Sequence, residues 1–225
     1  MRDDPGRPVD GPGALGERRA PVVVTVLAAM ALPFLMPVEV STDRRWIAAS
    51  VLGILLVAML VMDPGRIDRR SRGVRAVRLA LITALTAGAA YATVRLVTVI
   101  LRGEDGADSA SDLLRAGGLV WLYLVIAFAF VYWELDGGGP GERAHTTPEF
   151  PDLMFPQHGN PELAPPGWRP VFVDYLYLAL TGAIAFSPTD TLPLAHWAKA
   201  AMAVEALASL TIIGLVVARA VNILA

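Results

Sequence analysis

Apolar residues along this chain come in long runs with few charges rather than in alternation. The runs cover 21–37, 46–62, 76–101, 113–135 and 194–224, with polar segments between them. A helix rises about 1.5 Å per residue, so such runs match the roughly 30 Å hydrocarbon core of a bilayer. One further apolar run, 172–185, is shorter and reaches only about 20 Å as a helix. It breaks into Ser187, Pro188, Thr189 and Asp190, and the last long run follows at once. Irregular backbone at membrane depth survives only where it is buried in protein or lines water. The pattern predicts an all-α integral membrane protein with five transmembrane helices. It also predicts one re-entrant helix and loop over 171–192, with Pro193 in the first turn of the last helix.

The connections carry the charge. Residues 1–20 mix four arginines and four acids with Pro and Gly, and read as a disordered tail. Arg18-Arg19 and the Ala29-Met30-Ala31 triplet fit a cleaved signal peptide, but the apolar run continues past the triplet, so an uncleaved first span is expected. Trp46 suits the membrane interface. Segment 63–75 is the most basic of the chain. It reads either as a cytoplasmic loop or as a site for anionic lipid head groups at Arg66, Arg69, Arg70, Arg72 and Arg75. The third span is rich in small residues, which favours close packing, and Arg78 at its start is placed to snorkel. Tyr132-Trp133-Glu134-Leu135-Asp136 reads as an interface boundary. Loop 137–170 is dense in Gly and Pro, and its Phe150, Leu153, Met154 and Phe155 suggest a segment folded against the membrane face.

Composition agrees: 55% of the residues are hydrophobic and 18% charged. The chain has no cysteine, which excludes disulfides and thiolate metal sites. No basic stripe with interleaved aromatics points to nucleic acid. Gly137-Gly138-Gly139-Pro140-Gly141 lacks the Lys-Ser/Thr of a phosphate loop. His145, His158 and His196 show no ligand spacing, and there is no Gly-x-Ser-x-Gly elbow. Neither an enzyme nor a cofactor is expected. Glu205 falls near mid-depth of the last span, with Ala201, Ala208, Ser209 and Ile212 on its face. An acid there is costly; it serves either the function or a structural hydrogen bond, for which Tyr177 and Thr181 are the candidates.

Residues Asp174 to Pro193 resemble the pore loop of the potassium-channel superfamily, whose bacterial two-helix members read approximately D-x-L-Y-F-S-F-x-T-x-T-T-V-G-Y-G-D-x-x-P. Without a gap, Asp174, Leu176 and Tyr177 fall on the D, L and Y, Asp190 on the acid after the filter, and Pro193 on the proline. The flanks are similar too: Tyr132-Trp133-Glu134 ends the outer helix, and Ala198, Glu205-Ala206-Leu207 and Val217-Ala218-Arg219 follow the inner one. The resemblance covers 113–225. The chain also resembles an uncharacterised bacterial multi-pass membrane family with a YWELD–GGP stretch, FPQ and AFSPTDT-PL. The resemblance implies a helix–pore loop–helix module, 113–225, behind three peripheral spans. It further implies a homotetramer in the cell (inner) membrane that conducts cations passively with its selectivity open, a monovalent cation being one candidate.

The filter departs from the family. Ala185-Phe186-Ser187-Pro188-Thr189 stands where TVGYG turns its carbonyl oxygens towards the ion. Both glycines are gone, and Pro188 has a fixed φ and no N–H. Ser209 stands where many members carry a hinge glycine. The resemblance therefore carries the pore architecture but not the potassium filter. Two readings of the loop stay open. Ser187, Thr189 and Asp190 could ring a partly hydrated cation, or they could form a tight turn. In the second case the protein is a non-conducting membrane protein with a structural, interaction or lipid-binding role. Sidedness conflicts as well. The family places its pore loop outside the cell, and five spans put the basic segment on that same side. Six arginines between Arg66 and Arg78 ask for the cytoplasm. Given the span count, residues 70 and 145 should share a side.

Overall fold

The computed structural model describes residues 16–37, 40–41, 45–103, 109–146, 148, 150–184 and 190–224. Long helices α1 (Ala20–Leu35), α2 (Arg45–Met62), α3 (Arg72–Arg102) and α4 (Ala110–Leu135) come first. Two single-turn helices, α5 (Pro140–Arg143) and α6 (Pro156–Gly159), lie in the following loop. Helix α7 (Phe172–Ile184) precedes the last helix, α8 (His196–Leu224). Strands β1 (Leu153–Met154) and β2 (Leu192–Pro193) pair antiparallel, Leu153 opposite Pro193.

Four helices, α2, α3, α4 and α8, are long and apolar enough to cross a membrane. Helix α1, expected as a full span, has 16 residues and rises only about 24 Å. The outward faces are apolar, with Ile54, Val57, Val94, Leu207 and Val221 all exposed. Together, composition and these faces indicate a membrane protein.

Several boundaries differ from the expectation. Helix α3 begins at Arg72 rather than at 76, because arginine is a good helix former and Ser71 stands extended before it. Helix α4 starts at Ala110, where the Ser109 hydroxyl accepts the Asp112 N–H at 3.4 Å. Pro193 belongs to β2 and not to the first turn of α8. The N–H groups of Leu194 and Ala195 both donate to the Asp152 carbonyl, which keeps the chain extended up to His196. The expected tail shortens also. Residues 1–15 lie outside the described residues, whereas Glu17 is tied into the bundle and accepts the Ile67 N–H at 3.1 Å.

The helices define two ends. One, the polar end, gathers the starts of α1, α3, α7 and α8 with the finishes of α2 and α4. Arg19 there donates to the Asp63 carbonyl. At the other end Arg115 donates to the Leu35 carbonyl at 3.0 Å, joining the start of α4 to the finish of α1. Helix α4 is central and packs on α1, α3, α7 and α8. Its Phe130, Tyr132 and Trp133 are among the largest fully buried side chains. A helix apolar on every side belongs inside the bundle.

Candidate functional site

Helix α7 lies against both α4 and α8, and α8 packs on α4. Its start is pinned at the polar end: the Tyr175 hydroxyl donates to Asp136 Oδ2 at 2.6 Å and the Phe172 N–H to Glu17 Oε2 at 2.7 Å. The β1–β2 pair brings the chain back to that same end before α8 begins. Thirteen residues of α7 therefore run inward for about 20 Å, and α8 starts again from the side where α7 started.

Five of the filter positions, Ala185, Phe186, Ser187, Pro188 and Thr189, lie outside the described residues. Asp190 is exposed. Asp174 Oδ2 accepts the Val171 N–H at 2.8 Å, a local cap on the first turn of α7. Thr181 bonds back into its own helix, to the carbonyls of Tyr177 at 2.9 Å and Leu178 at 3.0 Å. The Tyr177 side chain is exposed. Neither Tyr177 nor Thr181 is the partner of Glu205.

That partner is Tyr132 on α4, whose hydroxyl donates to Glu205 Oε2 at 2.6 Å. Glu205 is 0% exposed, and the same oxygen faces Gly182 of α7, where a Cβ would stand 3.1 Å away. Ser209 is equally buried: its hydroxyl accepts the Trp121 indole N–H at 2.8 Å and donates to the Ala183 carbonyl. Both side chains, with Ile212, face α4 and α7 rather than the outward face of α8 that carries Val204, Leu207 and Leu210. In place of a hinge glycine, Ser209 fastens the last turn of α7 to its neighbours. Glu205 Oε2 thus has a structural hydrogen bond, while its Oε1 is buried without one.

The largest surprise is Tyr132-Trp133-Glu134-Leu135-Asp136, expected at an interface. Tyr132, Trp133, Glu134 and Asp136 are all buried. Arg78, expected to snorkel, is 3% exposed and donates to Glu134 Oε2 at 2.7 Å, with Asp63 4.0 Å from its other side. The Asp136 carboxylate takes the Tyr175 hydroxyl and the Leu153 N–H. Glu17 accepts the Trp133 indole N–H at 2.6 Å and lies 4.0 Å from Arg143. Arg143 donates to the Trp133 and Asp136 carbonyls and stacks over the Tyr175 ring at 4.8 Å. Burial raises the Glu17 carboxyl above its ordinary value, with Arg143 opposing. Burial likewise raises Asp63, with Arg78 opposing. These contacts tie together the leader of α1, the finishes of α2 and α4, and the starts of α3 and α7. One signal in the sequence pointed to them: acids close α4 while an arginine sits in the early turns of α3, two helices whose short connection makes them neighbours.

The basic segment and the Gly/Pro-rich loop meet here. Arg70 pairs with Glu142 at 3.2 Å and donates to Thr146, and His145 Nε2 lies 3.0 Å from the Asp68 carbonyl. Segments 68–70 and 142–146 thus share one end of the bundle. Of Phe150, Leu153, Met154 and Phe155, the residues that suggested a loop folded against the membrane face, Leu153 and Phe155 are buried in the protein and Phe150 is exposed. Phe155, His158 and Trp168 form an aromatic group, with the His158 and Trp168 rings 5.4 Å apart. His158 is exposed as a residue, and partial desolvation of its imidazole beside these rings lowers it from its ordinary value. Among the described residues, no group of three or more His, Cys, Asp or Glu is placed to hold a metal ion. No family model matches this chain, and no curated protein or solved structure does.

Proposed function

We propose that this chain is a multi-pass protein of the cell membrane whose α4–α7–α8 unit forms a cation-conducting pore as a homotetramer. In this reading α7 is a re-entrant pore helix and residues 185–190 are the filter. One observation carries the proposal: α7 and α8 both start from the end where α4 finishes, and α7 is too short to cross. A membrane protein tolerates a helix that stops short of crossing where the chain beyond it lines water or is buried in protein. Helix α1 counts as the fifth crossing because Arg19 ties it to the polar end and its Leu35 carbonyl meets Arg115 at the other. Glu205 and Ser209 serve as struts that hold the pore helix, through Tyr132, Trp121 and Ala183. The pathway itself belongs to the filter and to the outward face of α8, where Leu207 and Thr211 are exposed.

The test is monovalent-cation flux into liposomes carrying the purified chain, together with its stoichiometry by native mass spectrometry. The proposal expects a tetramer and a flux removed by Asp190→Asn or Thr189→Val. A folded monomer or dimer without flux would leave a non-conducting membrane protein that uses the same fold for assembly or interaction.

A further inference from the structure

The start of α3 opens into a cavity of about 130 Å³ walled by five arginines, Arg69, Arg70, Arg72, Arg75 and Arg78. We infer that this cavity binds a phosphate group, independently of whether the chain conducts ions. Three observations converge on it. First, charge is left over. The carboxylates in contact with these arginines are Asp63, Glu134 and Glu142, so five guanidinium groups face three acids. Arg72 is exposed and has no side-chain partner among the described residues.

Second, the cavity sits at the amino terminus of a 31-residue helix that has no acid in its first turn and no side-chain bond from its capping Ser71. The first N–H groups of such a helix lack intrahelical acceptors, and the helix dipole favours an anion beside them. Third, the wall holds a buried guanidinium. Arg78 is 3% exposed, yet its Nη1 is buried and makes no hydrogen bond; its charge partner Asp63 stands 4.0 Å away. The nearest acceptor, Asp63 Oδ2, is itself buried without a hydrogen bond, and Arg78 adds its charge to the cationic wall of the cavity.

The shape also fits. The volume corresponds to about four water molecules, room for a tetrahedral oxyanion. The wall from the facing loop depends on glycine: a Cβ on Gly141 would stand 2.5 Å from the Arg69 carbonyl, so only glycine lets 138–142 close over the arginines. Arginine forks match phosphate oxygens two at a time. The same phosphate chemistry is offered by an anionic lipid head group and by a soluble phosphate.

The experiment uses the full chain in phosphatidylcholine nanodiscs, which carry no net charge. Retention of added phosphatidic acid is read by native mass spectrometry, and binding of inorganic phosphate and pyrophosphate by thermal shift. Arg72→Gln removes a partnerless side chain, so the fold is kept; Lys199→Gln makes the same charge change at the start of α8. The inference expects binding that Arg72→Gln weakens about tenfold and Lys199→Gln leaves unchanged. Response to phosphatidic acid alone identifies the lipid as the source, and response to free phosphate or pyrophosphate identifies the soluble anion. Absence of binding by all three probes overturns the site. So does binding that Arg72→Gln leaves intact, or that both variants weaken equally, which would show only diffuse attraction.

Discussion

Replacing Arg78 by methionine removes the guanidinium that neutralises Glu134 inside the bundle and keeps most of the side-chain volume. Glu134 is 0% exposed, and the Arg78 Nε bond to its Oε2 is 2.7 Å long. Removing one partner of a buried ion pair costs about 3–5 kcal/mol, because the other charge is left uncompensated. Arg75 stands 3.8 Å from Glu134 Oε1 and offsets part of this, which places the expected loss near the lower limit, about 3 kcal/mol. For a chain of this length that corresponds to a fall of roughly 6–12 °C in the unfolding midpoint. The assay is the thermal midpoint of the detergent-solubilised chain, followed by tryptophan fluorescence. Arg78→Met combined with Glu134→Gln removes both charges and should recover at least half of the loss. A single variant within about 1 kcal/mol of the parent would refute the reasoning. So would a double variant no more stable than the single.

Other expectations follow from the same packing. Tyr132→Phe leaves the Glu205 carboxylate without its 2.6 Å donor and should cost about 1–3 kcal/mol. Adding Glu205→Met should restore most of that in the same thermal assay. Gly117→Ala places a Cβ 2.7 Å from Val216 Cγ2 and should force α4 from α8 at about 1–3 kcal/mol. Gly118→Ala meets nothing within 4 Å and should be neutral or slightly stabilising. His158 gives a pH signature. Its Nδ1 accepts the Phe155 N–H at 3.2 Å and its folded pKa is lowered from 6.5 by partial desolvation, so the folded state binds that proton less tightly than the unfolded chain. This contribution is complete above 6.5 and is lost as pH falls from there towards the lowered value. Midpoints of the parent chain and His158→Gln should therefore converge on acidification; parallel curves would contradict it. The raised Glu17 and Asp63 act in the opposite sense, their contribution falling as pH rises through their folded values, and they are common to both proteins.

The helices were readable because each is an apolar run bounded by polar residues, and α2 and α7 fall almost where their runs do. The shortness of α7 was visible too, since only thirteen residues separate its start from its break. What the runs could not show is which polar residues fold back. Arg78 and Glu134 are 56 residues apart, and Trp133 and Glu17 are 116 apart, so hydrophobic periodicity says nothing of either pair. Aromatics and acids at the end of a span look alike whether they meet the interface or a loop that covers them. Here Glu17, Arg143 and Leu153 cover them, so Tyr132, Trp133, Glu134 and Asp136 close the end of α4 inside the protein. The nearest helix in sequence, α7, is where the sequence points for the partner of Glu205. That partner comes from α4, because Gly182 leaves α7 without a side chain at the contact and lets Tyr132 reach across. Pro193 stands where a helix start is common for proline, but it closes a two-residue strand, paired with Leu153.

The central claim is that the chain enters beside α7 and leaves on the same side before α8. The chain has no cysteine, so single cysteines placed at Asp190, His145 and Ser111 report sidedness directly. In intact vesicles, an impermeant thiol reagent should label positions 190 and 145 from one side and position 111 from the other. Labelling of position 190 together with 111, and apart from 145, would contradict the account.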